Sequence, residues 1–262
     1  MVTSTDPGME LRDLLSDAEF NNRNKAADPN RSFEALHELA RVFVEEPNVV
    51  LQRLVDLAVE HCGAASAGIS LEELENESGS PRFRWIVVSG SFSRYLNGTT
   101  PRNFSPCGTC LDRGRPQLYT VSKPYYDFLG VVADPITDGM LIPWNNGAER
   151  GTIWAVSHNS AESFDPTDYK LLNSLADFAA IAIRHQRQVS SLRAQERDLA
   201  SAERANQLAH QINNPLQSLT NALYLVSRDE SSTPVYMEYA QRELQTLSDL
   251  VRKLLTESAT QK

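Results

Sequence analysis

The distribution of glycine divides this chain into two parts. All twelve glycines of the 262 residues lie between Gly8 and Gly151, and residues 152–262 contain none. Glycine is the usual residue of turns, bulges and helix ends, so a long segment without it favours continuous helix. The sequence therefore predicts a loop-rich mixed fold first and an almost purely helical part after it, with the boundary near Phe164.

Apolar residues in the helical part recur in steps of three and four, in two runs separated by a polar turn at 227–234. The first run is Ile212, Leu216, Leu219, Leu223 and Val226, and the second is Met237, Ala240, Leu244, Leu247, Val251 and Leu254. This spacing is typical of helices that pack against other helices. One stripe per helix cannot be buried within a single hairpin, so we expect a homodimer in which two hairpins form a four-helix bundle.

One histidine lies off this apolar seam. His210 is about 200° around the helix from both Leu208 and Ile212, so its ring is expected to face solvent. Pro215 follows it inside the same helical pattern, where a proline removes a backbone donor at a cost of about 3 kcal/mol. A purely structural helix avoids that cost, so the segment around His210 is a candidate functional site.

The sequence His210-Gln211-Ile212-Asn213-Asn214-Pro215-Leu216 resembles the phosphoacceptor box of sensor histidine kinases. The resemblance implies that His210 accepts the γ-phosphoryl group of ATP and relays it to a response-regulator receiver domain. It also implies that Asn214 positions the water that dephosphorylates the regulator. Gln211 replaces the acidic residue usual at that position; it can hydrogen-bond, but it cannot act as a base.

The loop-rich part contains two strand pairs, short helices and a closing helix. The predicted hairpins are Ala67–Leu71 with Phe83–Ser89, and Met140–Trp144 with Thr152–Ser157. The order of elements predicts an α+β fold with one antiparallel sheet and flanking helices. Together with Phe104-Ser105-Pro106-Cys107-Gly108 and Phe164-Asp165-Pro166-Thr167-Asp168, this order resembles a GAF domain. Asp165 is expected to cap the closing helix, with Pro166 in its first position.

Four regions follow from these patterns. Residues 1–30 are expected to be a flexible arm, in which Met9–Phe20 has the pattern of a short amphipathic helix. Residues 31–186 are the GAF-like sensory domain, and 187–204 a charged coiled-coil connector helix. Residues 205–262 are the dimerisation and histidine phosphoacceptor hairpin.

The GAF resemblance implies a pocket between the sheet and the short helices, but the sequence does not identify its ligand. Eight aromatic residues are expected near it, and the sequence favours core packing over a ligand cage for them. They are Trp85, Phe92, Tyr95, Tyr119, Tyr125, Tyr126, Trp144 and Trp154. No cysteine is followed by histidine, as in many bilin-binding GAF photoreceptors, so bilin attachment is not expected.

Cys107 and Cys110 form the other chemical candidate. Their spacing at a helix start fits either a redox pair with lowered thiol pKa or two small buried residues, and packing is the favoured interpretation. No second cysteine pair or nearby histidine completes a zinc site, so no metal is predicted.

Charge and hydropathy exclude several classes of partner. The net charge of −9 gives no electrostatic reason to expect nucleic acid or an anionic membrane as partner. The chain has no apolar run near 18 residues and no signal peptide, and its three cysteines suit a reducing compartment, so a cytoplasmic location is expected. After Gly151 no glycine-rich segment could hold ATP, so ATP and Mg²⁺ are expected only on a separate or missing histidine kinase domain.

Three functions are compatible with the sequence. The first is two-component signal transduction, in which the GAF domain controls phosphotransfer through His210. The second is a non-catalytic dimeric regulator that binds a kinase or response regulator without phosphotransfer, which Gln211 favours. The third is a redox enzyme that uses Cys107 and Cys110. Whether the chain is itself an enzyme stays open.

Overall fold

A computed structural model describes residues 8–25, 30–74, 79–226 and 233–259. The chain forms two compact units, one ending at Val189 and the other beginning at Ser190. Within the described ranges, no helix combines the length and the apolar character needed to cross a bilayer.

The mixed part contains the two predicted strand pairs and the predicted helices, together with β1, β4 and α5, which were not predicted from the sequence. The helices are α1 (Ala18–Asn21), α2 (Arg31–Glu45), α3 (Val50–Cys62), α4 (Pro106–Arg113) and α5 (Lys123–Leu129), with a short 3-10 helix at Ser91–Tyr95. The strands are β1 (Met9–Asp13), β2 (Ser66–Glu73), β3 (Arg82–Gly90), β4 (Thr99–Pro101), β5 (Gln117–Val121), β6 (Asp138–Asn145) and β7 (Arg150–Ser157). Two long helices follow, α6 (Pro166–Val226) and α7 (Thr233–Ala259).

The strands form one seven-stranded sheet in the order β1-β5-β6-β7-β2-β3-β4. Every neighbouring pair is antiparallel, and both predicted hairpins, β2 with β3 and β6 with β7, are confirmed. The predicted α+β fold with a GAF-type antiparallel sheet and flanking helices is therefore confirmed. Residues 75–78 of the first hairpin's turn lie outside the described residues.

The two faces of the sheet contribute to two separate apolar clusters. In the first, Leu54 of α3, Ile153 of β7 and Leu171 of α6 are completely buried. In the second, Phe83, Cys110 and Trp154 lie with residues of the short helices. The alternation of side chains along each strand produces this division, because successive residues point to opposite faces.

The N-terminal segment differs from the prediction. Residues Met9–Asp13 form an edge strand that pairs with β5, not an amphipathic helix, and Leu14 and Phe20 are buried in the core. The alternation of buried and exposed side chains and the free edge of β5 outweigh the helical pattern. Pairing of the two strands gives their backbone N–H and C=O groups hydrogen-bond partners that they would otherwise lack. Within residues 8–25, Met9–Asp13 is thus a strand of the sheet and Ala18–Asn21 is a short helix, whereas residues 1–7 and 26–29 lie outside the described residues.

The start of α6 matches its prediction. The Asp165 carboxylate accepts hydrogen bonds from the backbone N–H of Thr167 and of Asp168, both at 2.9 Å, and Pro166 is the first residue of the helix. The Asp168 carboxylate in turn accepts a hydrogen bond from the backbone N–H of Asp165 at 3.0 Å. This reciprocal cap satisfies donors that the first turn leaves without helical partners.

The second unit contains the end of α6 and all of α7. Pro215 lies inside α6, as the sequence requires if the helical pattern is continuous. The predicted turn at 227–234 falls mainly on residues 227–232, which lie outside the described residues. The division of the chain into four regions and the pairing of two helical hairpins in a dimer stay predictions.

Candidate functional site

A cavity of about 600 Å³ lies between the sheet and the short helices of the first unit. Its wall is contributed by β3, the 3-10 helix, β4, α4, β5, α5 and β7. Seven of the eight aromatic residues singled out in the sequence line it, namely Trp85, Phe92, Tyr95, Tyr119, Tyr125, Tyr126 and Trp154. Trp144 lies instead in the other apolar cluster. The expected core aromatics thus also form the cavity wall.

The position of Trp154 shows how the sequence makes this wall. Trp154 of β7 lies opposite Gly68 of β2, and a Cβ on Gly68 would come within 2.3 Å of the indole ring. Glycine therefore leaves the space that the ring occupies. The indole Nε1 donates to Ser70 Oγ at 3.1 Å, and the Cys107 thiol donates to the same oxygen at 3.6 Å.

The aromatic rings of the wall pack against one another. The ring centroids of Trp85 and Trp154 are 5.0 Å apart, and Phe92 and Tyr95 meet edge to face at 5.6 Å. Tyr95 donates its hydroxyl hydrogen bond to the Val132 carbonyl at 2.5 Å, which ties the loop after α5 to this side of the cavity. These ring contacts join β3, β7 and the 3-10 helix in one part of the cavity wall.

Three polar atoms on the cavity-lining residues are buried without a partner. They are Trp85 Nε1, the Tyr126 hydroxyl and Thr100 Oγ1, and within the described part of the chain none has a hydrogen-bond partner. A buried donor without a partner costs about 1–3 kcal/mol. Other described residues outside the cavity lining, Trp144 among them, also carry a buried polar atom without a partner.

The only charged side chain among the lining residues is Arg82. Its Nε donates to Glu73 Oε2 at 2.8 Å, and Glu73 also pairs with Arg84. The Arg82 hydrogen bond lowers the pKa of Glu73 in spite of the opposing effect of burial, so the carboxylate stays ionised beside it. The lining residues that the structure describes therefore offer no unpaired charge to a ligand.

The histidine site lies on α6 in the second unit. His210, Gln211 and Asn214 are all exposed, whereas Pro215 is buried. Asn214 is about 40° around the helix from His210, so both side chains project from one face, one turn apart. In a single chain, the side chains of the predicted phosphoacceptor and of its polar neighbours are therefore exposed to solvent.

Apolar side chains of the same unit remain exposed on the opposite side of α6. Leu216 and Leu223 are about 240° and 220° around the helix from His210, and Leu223 is 50% exposed. On α7, Met237 and Leu244 are exposed as well, whereas Ala222 and Ala240 are buried. Covering this stripe would therefore leave the histidine accessible.

A family model described as a GAF domain matches residues 44–184, more than half of the chain. The chain belongs to the GAF domain family. Its first unit therefore carries a GAF domain, a signalling sensor domain, and the cavity lies within the matched range. The predicted span of 31–186 begins 13 residues before the matched range of 44–184 and ends two residues after it.

The solved structures that are similar to this chain have low sequence identity to it. A GAF domain of a phosphoenolpyruvate-protein phosphotransferase from Coxiella burnetii is 16% identical, with a TM-score of 0.49, covering 62% of this chain and 97% of its own. A free methionine-R-sulfoxide reductase from Neisseria meningitidis, in complex with its substrate, is 18% identical, with a TM-score of 0.48, covering 65% and 99%. No curated protein matches this chain.

The two closely spaced cysteines of the GAF domain lie in α4. Burial raises the pKa of both the Cys107 and the Cys110 thiol, so the helix start does not produce a thiolate here. Cys110 Sγ instead donates to the carbonyls of Arg115 and Leu141. The geometry supports the packing interpretation. Among the described residues, no three His, Cys, Asp or Glu side chains form a group that could hold a metal ion.

Sequence reasoning misses one polar residue that lines the GAF cavity, Thr100, and one that accepts hydrogen bonds from two lining residues, Ser70. Thr100 lies in the three-residue edge strand β4, and Ser70 follows the irregularity in the register between β2 and β3. A lone threonine or serine in a strand carries no pattern that distinguishes it. Only the paired strands and the surrounding rings reveal their positions.

Proposed function

We propose that this chain is the sensory and phosphoacceptor portion of a two-component histidine kinase. In this proposal, the state of a ligand in the GAF cavity controls whether His210 accepts a phosphoryl group. His210 then passes it to the aspartate of a response-regulator receiver domain. The observation that carries the proposal is the exposed His210 ring at the start of His-Gln-Ile-Asn-Asn-Pro-Leu, on the side of α6 opposite the exposed apolar stripe.

The chemistry assigns one step to His210. A neutral ring nitrogen attacks the γ-phosphorus of ATP, the N–P bond forms as the bond to ADP breaks, and ADP leaves. The ring is then cationic and must lose its other proton. Gln211 cannot accept that proton, so solvent takes it, and we expect autophosphorylation to be slow. In this proposal, ATP and Mg²⁺ are supplied by the ATP-binding domain of a histidine kinase, which is not part of this sequence.

A second copy of the chain is part of this proposal. Leu223 and Leu244 are 50% and 57% exposed in one chain, and both belong to stripes with three-four spacing. Pairing two identical helical units would bury these side chains as a four-helix bundle and leave two His210 rings outside.

The test is transfer of labelled phosphate. The full chain is incubated with the ATP-binding domain of a histidine kinase and γ-labelled ATP, and acid-labile label is measured. We expect label on wild type and on His37→Ala, an exposed histidine of α2, but none on His210→Ala. Gln211→Glu should increase the rate, because it supplies a proton acceptor. Label retained by His210→Ala would refute the proposal.

The alternative function, regulation by binding without phosphotransfer, predicts a different result for the His210→Ala variant. If the chain regulates a kinase or response regulator only by binding, phosphate is not transferred through it. Signalling output would then be the same for wild type and His210→Ala, while dimer-disrupting changes would abolish it. Labelling of a receiver domain that depends on His210 would exclude this alternative.

A further inference from the structure

The segment between α5 and β6 forms one side of the GAF cavity, and we call its residues 131–135 the flap. Val131 and Ala133 of the flap line the cavity, together with Phe128 at the end of α5. Phe128 and Val131 are nevertheless 59% and 39% exposed, so they stand at the mouth of the cavity and not deep within it. Apolar side chains in this place are buried when the flap closes over the contents of the cavity.

The backbone of the flap is weakly held. In the part of the chain that the structure describes, residues 132–135 take part in no hydrogen bond between two backbone groups. Such bonds flank them, where the Val131 N–H donates to the Tyr126 carbonyl at 3.1 Å and Ile136 pairs with Val121. A short exposed stretch without ladder hydrogen bonds opens locally at a low free-energy cost.

Two side chains from outside the flap hold its middle. Tyr95, at the end of the 3-10 helix, donates its hydroxyl hydrogen bond to the Val132 carbonyl at 2.5 Å. His158 follows β7, and its Nδ1 lies 2.9 Å from the Pro135 carbonyl oxygen. A carbonyl oxygen only accepts, so Nδ1 donates. The two hydrogen bonds therefore fasten the flap at Val132 and at Pro135.

Both of these donors contact the rings of the cavity wall. Tyr95 lines the cavity itself and meets Phe92, another lining residue, edge to face at 5.6 Å. The centroids of the His158 and Phe92 rings are 4.8 Å apart. A molecule that displaces Phe92 or Tyr95 would move the groups that fasten the flap. Occupancy of the cavity and the position of the flap are therefore coupled by direct contacts.

We propose that the flap is the gate of the GAF cavity, held closed by the hydrogen bonds from Tyr95 and His158. Tyr95 is a positioning residue in this gate, because it acts through the flap. The proposal deepens the proposed function and rests on its sensory role, since it describes how a signal molecule reaches the sensor. Loss of one of the two hydrogen bonds should increase the population of the open flap about twofold to tenfold.

Quenching of tryptophan fluorescence by acrylamide tests the gate on the full chain without any ligand. The chain has three tryptophans, and Trp144→Phe leaves Trp85 and Trp154, which both line the cavity. In this background, Tyr95→Phe removes the hydroxyl and keeps the ring. We expect the bimolecular quenching constant to increase at least about twofold, because acrylamide reaches the two indoles through the open flap. An unchanged constant would overturn the proposal.

Tyr125→Phe, in the same background, is the matched control. Tyr125 also lines the cavity, and its hydroxyl donates to the carbonyl of Phe104, which lies outside the flap, at 3.0 Å. The control should leave the quenching constant unchanged, although urea denaturation should show a similar loss of stability for both tyrosine variants. An increase in quenching equal to that of Tyr95→Phe would show that the whole wall has loosened, and would refute the gate.

The second hydrogen bond is tested by His158→Phe, which keeps a ring against Phe92 and removes the donor to Pro135. It should increase the quenching constant as well, and its combination with Tyr95→Phe should increase it further. A double variant that is quenched no faster than the Trp144→Phe background would refute the gate. Quenching involves no phosphate transfer, so the gate can fail while the His210 proposal stands, and the reverse.

Discussion

Arg23 donates through Nη1 to Asp138 Oδ2 at 2.9 Å, and the two side chains are only 8% and 5% exposed. This ion pair joins the segment after α1 to the first residue of β6. Asp138 also accepts from the backbone N–H of Ser163 and Phe164, just before α6. The pair therefore fixes the N-terminal segment, one strand and the start of the longest helix to one another.

Replacing Arg23 should destabilise the first unit strongly. Arg23→Met leaves the buried Asp138 carboxylate without its counter-charge, and we expect a loss of about 2–4 kcal/mol at pH 7, measured by urea denaturation. Arg12→Met is the control, because Arg12 is largely exposed in its pair with Asp17 and should cost less than about 1 kcal/mol. Equal losses for the two variants would contradict this prediction.

The same variant should respond to pH in a defined direction. Burial raises the pKa of Asp138 in spite of Arg23, so the folded state binds a proton more readily than the unfolded state. For such a group, stability increases as pH falls through the folded pKa. The deficit of Arg23→Met should therefore shrink as pH falls below 7 and the Asp138 carboxyl becomes neutral. A deficit that grows on acidification would contradict this assignment.

The cap of α6 should show the opposite dependence. Burial by itself raises the pKa of Asp165, but backbone N–H groups of Asp168, Lys25 and Thr167 outweigh it and lower the pKa overall. Asp165→Ala should cost about 1–2 kcal/mol at pH 7. Since the folded pKa is depressed, that contribution is lost as pH falls through it, and the two proteins should converge below about pH 4. Asp165→Asn keeps a capping oxygen, so its loss at pH 7 should be smaller, and that loss should also shrink as Asp165 becomes protonated in the wild type.

Gly90 should tolerate no side chain. Its φ of 82° and ψ of −154° lie in a region accessible essentially to glycine alone, and a Cβ would come within 2.1 Å of the Ala65 carbonyl oxygen. We expect Gly90→Ala to cost about 3 kcal/mol or more. Gly130→Ala has a similar φ of 69° but no atom within 4 Å of its Cβ, and should cost about 1–2 kcal/mol. Thermal unfolding of both variants gives the comparison, and equal costs would show that the contact with Ala65 is unimportant.

A charge in the exposed stripe should weaken self-association. Leu223→Glu would place a carboxylate in the proposed dimer interface, and we expect the dimer dissociation constant to rise at least about tenfold. Val132→Glu adds the same charge at a more exposed apolar residue of the GAF unit and should leave it unchanged. Sedimentation equilibrium measures both. A wild-type chain that is monomeric at high concentration would refute the bundle.

The buried thiols should be unreactive in the folded protein. Burial raises the pKa of Cys62 to about 12, and it raises those of Cys107 and Cys110 as well. Iodoacetamide at pH 8 should therefore modify all three much more slowly in native protein than in urea. A Cys107→Ser, Cys110→Ser double variant should retain ligand binding and phosphate labelling. Rapid native modification of either cysteine would favour the redox alternative.

Local patterns were sufficient for part of the order of the elements, but not for β1, β4 and α5. Alternating apolar residues predict the hairpins β2-β3 and β6-β7, and Asp165-Pro166 predicts the start of α6, because both signals depend on neighbours in sequence. The same kind of reasoning mistook Met9–Phe20 for a helix. A five-residue strand such as β1 is selected by the unpaired edge of β5, more than a hundred residues away in sequence.

By itself, the sequence determined the GAF-like α+β fold class, the helical character of the second part and the position of His210 off the apolar seam. Only the tertiary structure decided that seven aromatic residues line one cavity and that both cysteines of α4 are buried. It also decided that Thr100, Trp85 and Tyr126 carry buried polar atoms without a partner among the described residues. Periodicity records which face of an element is apolar. Whether the apolar faces of different elements pack tightly or leave a cavity between them depends on long-range strand pairing and on side-chain volumes. A local sequence pattern does not specify either of these.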